Sequence, residues 1–64
     1  MTEYLETDSG VPFTFDPVHY RLYRWNGTEV DSILAVFNIR NRSTIISKER
    51  YRHLVAMELE EAKK

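Results

Sequence analysis

The side chains in this sequence with the clearest chemical potential are cationic. Arg40, Arg42, Lys48, Arg50 and Arg52 lie close together, and Glu49 is the single acid among them. Segment 40–52 therefore sums to +4, against −5 for the rest of the chain, although the net charge is only −1. Arginine forks match phosphate and carboxylate geometry. Lys48 and Arg52 are spaced i, i+4 and share a helical face. Cations at a helix N-terminus oppose its dipole, so an anion there would relieve the conflict. The segment points to nucleic acid, a nucleotide phosphate or an acidic protein surface. The plainer alternative is a solvated face balanced by Glu49, Asp31 and the acidic N-terminal residues. Nucleic-acid-binding domains are usually strongly basic, which this chain is not.

A second candidate set is aromatic. In an extended His19–Trp25 segment, Arg21, Tyr23 and Trp25 project to the same side as His19, while Val18, Tyr20 and Leu22 project to the other. Trp, Tyr and Arg are the residues enriched at interface hot spots. The same set could stack bases of a single strand. The competing reading makes Trp25, the only tryptophan, a packing anchor of the core.

Catalytic constellations are missing. There is no cysteine, hence neither a thiol nucleophile nor a disulfide. The two glycines, Gly10 and Gly27, are too few for a phosphate-cradling loop. No serine sits in a nucleophile elbow. Asp16, Glu29 and Asp31 have no spacing that fixes a carboxylate pair. His19 and His53 are the only imidazoles and lie far apart, so a zinc site is not expected; Glu49, at i−4, is the natural partner of His53. The reading is non-enzymatic, with no cofactor and no metal. Asn26-Gly27-Thr28 and Asn41-Arg42-Ser43 match the glycosylation pattern and are read as chance.

These groups must be positioned by very little protein. Sixty-four residues make one domain. A single core below roughly 70–80 residues seldom contributes more than about 3–5 kcal/mol. Without disulfide or metal, packing must be supplemented by self-association or by a partner, and a homodimer is expected. The acidic start lacks the apolar stretch of a signal peptide. The longest uncharged run, Ser32 to Ile39, is far too short to span a membrane. A cytoplasmic location follows as the expectation.

Along the chain, residues 1–10 read as a flexible acidic N-terminus, or as an acidic arm docking on a basic surface. Val11, Phe13 and Phe15 alternate as a short strand, with Pro12 placing it at a sheet edge. Segment 17–26 reads either as a helix started by Asp16-Pro17 or as a strand. The strand is preferred, because an aromatic heptapeptide ending in Asn26-Gly27 signals a type I′ hairpin. Thr28–Asn41 would then return as a strand. Its helical alternative carries a stripe of Val30, Ile33, Leu34 and Phe37. Ser43-Thr44-Ile45-Ile46 forms a final strand or an extended lead-in. Ser47 caps a last helix over about 48–62, with Tyr51, Leu54, Val55, Leu59 and Ala62 along one stripe, Ile46 stapled onto Tyr51, and Glu60 paired with Lys64. The opening Ile46-Ser47-Lys48-Glu49-Arg50-Tyr51 is generic helix-start chemistry and assigns no family.

The resulting expectation is a single α+β domain over 11–64: a small antiparallel sheet built on the Asn26-Gly27 hairpin, with the C-terminal helix on one face. A mostly helical domain is the alternative. The expected function is that of a small binding protein of the phage- or plasmid-encoded kind, a regulator or inhibitor that occludes a protein partner. Its contacts would come from Arg21, Tyr23, Trp25, Arg40, Arg42, Lys48, Arg50 and Arg52. The alternative is nucleic-acid or nucleotide-phosphate binding through 40–52.

Overall fold

A computed structural model describes residues 1–63. Its elements, in chain order, are β1 (Glu3–Glu6), β2 (Pro12–Asp16), β3 (Arg21–Arg24), α1 (Ile33–Arg42), β4 (Thr44–Ile46) and α2 (Lys48–Ala62). The four strands form one sheet in the order β3-β2-β1-β4, with every pairing antiparallel. The α+β class and the C-terminal helix are those anticipated from the sequence.

The N-terminal residues depart from the expectation of a flexible arm. β1 is an interior strand, with Leu5 opposite Phe13 on one side and Ile45 on the other. Its turn into β2 is formed by Thr7-Asp8-Ser9-Gly10, residues that the sequence reading places in the flexible segment. Thr7 O accepts from Gly10 N at 2.9 Å, and Gly10 takes φ 80°, where a side chain would be strained. Thr7 Oγ1 also accepts from Val11 N at 3.0 Å. With β1 beside it, β2 is interior as well. Pro12 is the first residue of β2, opposite Glu6, so its missing N–H falls at the end of the ladder.

The Asn26-Gly27 hairpin exists but is brief and of a different type. Arg24 O accepts from Gly27 N at 3.0 Å, and Gly27 alone in this turn has positive φ, 86°. Trp25 and Asn26 are therefore the central residues, followed by a left-handed Gly, as in a three-residue hairpin loop. Asn26 instead uses its Oδ1 to accept from Thr28 N at 3.1 Å. The return segment pairs briefly, through the Tyr23↔Glu29 bridge, with Thr28 O accepting from Arg24 N at 2.8 Å and Leu22 O from Val30 N at 2.9 Å. Ser32 then stops the expected strand. Its Oγ accepts from Ala35 N, capping α1, and the apolar run 33–39 becomes helix.

Leu5, Phe13, Phe15, Leu22 and Val36 form the core, with Val11, Val30 and Ile39 packed against it. Alternation puts Leu5, Phe13, Phe15 and Leu22 on the face that α1 covers. Tyr4 and Glu6 project to the opposite face. There α2 meets them through Tyr51, whose ring centroid is 4.9 Å from that of Tyr4, and through Arg50. Ser47 caps α2 as anticipated, accepting from Arg50 N at 3.1 Å. Leu54 is buried and Tyr51 and Val55 half-buried, whereas Leu59 and Ala62 are exposed, so only the first half of the sequence-read stripe packs. Lys64, and with it the expected Glu60–Lys64 pair, lies outside the described residues.

Because β1 joins β2 to β4, deleting residues 1–6 should abolish the folded far-UV circular dichroism spectrum, whereas a frayed arm would be dispensable. Leu5→Ala should lower unfolding free energy by about 2–5 kcal/mol in urea titration.

Candidate functional site

The basic segment does not form one patch. β1 divides it. Arg40, on the inner side of α1, has Nε 3.4 Å from Glu3 Oε1, and its guanidinium lies 5.2 Å from the centroid of the Phe15 ring. Arg50, on the first turn of α2, makes a two-pronged bond to Glu6: Nε to Oε1 at 3.1 Å and Nη2 to Oε2 at 3.2 Å. Glu3 and Glu6 face opposite sides of the sheet, so these two arginines are drawn to opposite sides. The paired Glu6 carboxylate is the main reason the Arg50 guanidinium holds its proton even more firmly than usual. Arg42, Lys48 and Arg52 are exposed and enter no ion pair among the described residues.

The β3 candidates are also partly engaged. Arg21 is 4.0 Å from Glu29, and its hydrogen bond to the Tyr23 oxygen, together with that carboxylate, raises its pKa. Tyr23 is half-buried on the same strand face as Arg21. Trp25 falls in the turn after β3, half-buried and outside the core cluster. Arg24, not singled out in the sequence, has its guanidinium 5.8 Å from the Phe13 ring centroid and Nη2 3.3 Å from Glu58. It lines an open groove of about 490 Å³ with Val11, Phe13, Ile39 and Arg42.

Neither histidine has a cluster around it. His19 Nδ1 is 2.8 Å from Asp16 Oδ2, and Asp16 Oδ1 accepts from Val18 N and His19 N. These bonds, the His19 side chain first, hold the Asp16 carboxyl below its ordinary range and order the turn into β3. Among the described residues no three His, Asp or Glu side chains converge as a metal site. No described helix is long and apolar enough to cross a membrane.

The feature that sequence reading misplaced is α1, where the sequence favours a returning strand and the helical alternative carries a stripe of Val30, Ile33, Leu34 and Phe37. Val30, before the helix, does pack against the core, but within α1 it is Val36 and Ile39 that turn inward, and Ile33, Leu34 and Phe37 remain 65%, 71% and 48% exposed. Three large apolar side chains so exposed on one ten-residue helix are unusual for a solvated surface. The signal in the sequence was the unbroken run 33–37, too apolar for the sheet to cover all round.

Comparisons with protein-family models, with curated proteins and with solved structures give no match for this chain.

The Tyr51 phenol is pushed above its ordinary value by burial, with Tyr4 and Glu58 adding to the effect. Its neutral form therefore contributes stability that is complete below about pH 10, the ordinary tyrosine value, and is lost as pH rises through the higher folded value. Urea midpoints measured from pH 8 to 11 should fall at the alkaline end, and Tyr51→Phe should flatten that fall.

Proposed function

We propose that this chain is a non-enzymatic protein-binding module, a small regulator or inhibitor that acts by covering a surface of a protein partner. The observation that carries the reading is the exposed apolar set Ile33, Leu34 and Phe37. Burying such side chains contributes about 1.5–3 kcal/mol each relative to full exposure, so three of them can anchor an interface. Because they are already partly covered, the gain per residue is smaller than that full value. The helix offers them on a capped, sheet-backed scaffold, which limits the ordering cost of binding. Tyr23 and Trp25 are half-buried and supply less free surface than the sequence implied.

Nucleic-acid or nucleotide-phosphate binding is the second reading, favoured by the exposed Arg42, Lys48 and Arg52, which enter no ion pair among the described residues. Three cations are a smaller footprint than the five in segment 40–52, since Arg40 and Arg50 are engaged by Glu3 and Glu6.

A photo-crosslinking side chain at position 34, and in a separate variant at position 48, distinguishes the readings in cells expressing the protein. The protein-binding reading predicts discrete protein adducts from position 34 that disappear when Phe37→Asp is added, with an unchanged circular dichroism spectrum. Nucleic-acid adducts from position 48, with none from position 34, would reverse the order. Oligonucleotide affinity should then drop steeply between low and high salt and weaken in Lys48→Ala/Arg52→Ala.

A further inference from the structure

The outer side of α1 has a polarity that narrows the choice of occupant. Leu34, Phe37 and Asn41 follow one another at i, i+3, i+7 along the exposed row, with Ile33 beside them. Asp31 precedes the capping Ser32 at one end of the helix, and Arg42, on the flank of the row where it also borders the groove beside Ile39, closes the helix at the other. Both are exposed, and neither enters an ion pair among the described residues. An apolar centre with an unpaired anion at one end and an unpaired cation at the other is complementary to its own reverse.

We propose that α1 docks against α1 of a second copy of this chain, antiparallel about a two-fold axis near Phe37. In that arrangement Phe37 packs beside its symmetry mate, and Leu34 meets the partner helix near Asn38 and Asn41. Asp31 approaches the partner's Arg42, and the same contact recurs at the other end. A two-fold interface must be self-complementary in this way. Parallel pairing would instead set Asp31 against Asp31 and Arg42 against Arg42. Antiparallel pairing also opposes the two helix dipoles. One short helix per copy places the contact at the small end of specific interfaces, so the dimer is a weak one that forms in the micromolar range. This inference rests on α1 being the protein-docking face.

The test is sedimentation equilibrium of the intact chain from about 5 to 500 µM, with amide chemical shifts followed over the same range. A concentration-dependent monomer–dimer equilibrium is expected, with shift changes centred on Ile33, Leu34 and Phe37. Leu34→Asp should weaken dimerisation by about tenfold or more, the scale set by desolvating a charge without a partner. Asp31→Arg alone should weaken it as well, through like charges at both ends. The double reversal Asp31→Arg/Arg42→Asp should restore the dimer, an effect that no general loss of folding can produce. A monomer throughout, or a dimer whose shift changes avoid α1, overturns the proposal. So does a dimer indifferent to the two charge reversals. A monomer that still gives adducts with other proteins from position 34 would overturn this inference and leave the protein-binding reading standing.

Discussion

Leu5 sits where the sheet and α1 converge, and the rest of the molecule is organised by the need to enclose it. It pairs with Phe13 on β2 and Ile45 on β4, lies in the cluster with Val36, and is fully buried. A chain this small has few large apolar residues to spend on a core. The strand that carries Leu5 must therefore be interior, and α1 must settle over it with Val36 and Ile39 inward. What that orientation leaves outside is Ile33, Leu34 and Phe37. The exposed surface of α1 is thus the other side of the same packing solution.

The charges follow from the same strand. Glu3 and Glu6 bracket β1 and face opposite sides of the sheet, and each takes an arginine from a different helix. Exposed ion pairs contribute little stability individually, typically up to about 1 kcal/mol. Their effect here is geometric: they set where the first turn of α2 and the last turn of α1 lie relative to β1. A basic run that looks continuous along the chain is thereby parted in space, and of its five cations Arg42, Lys48 and Arg52 enter no ion pair among the described residues.

Local chemistry made several elements readable. Ser47 with a periodic stripe behind it gave α2, Phe13 and Phe15 gave β2, and the Asn26-Gly27 turn appeared, though with Gly27 alone in the left-handed region. The sequence was least informative where long-range pairing overrides local character. Nothing within residues 1–10 announces that Glu3–Glu6 will find β4, roughly forty positions away. Residues 33–39 are equally compatible with strand and helix, and the local feature that marks the helix is Ser32 as a cap. The candidate site was legible as composition, in Arg42, Lys48 and Arg52. Its apolar half was misassigned, because a helix hydrophobic on most sides does not reveal which side will face the sheet.

The strand order has a consequence for the chain as it is made. β1 and β2 are joined by a tight turn and can pair as soon as both have emerged, but β4 follows β1 by nearly the length of the domain. At translation rates of about 5–20 residues per second, one edge of β1 is open for roughly 2–8 s. An open edge is a template for pairing with other nascent chains. The two glutamates at the ends of β1 confer like-charge repulsion between such edges during that interval, before either acid has its arginine.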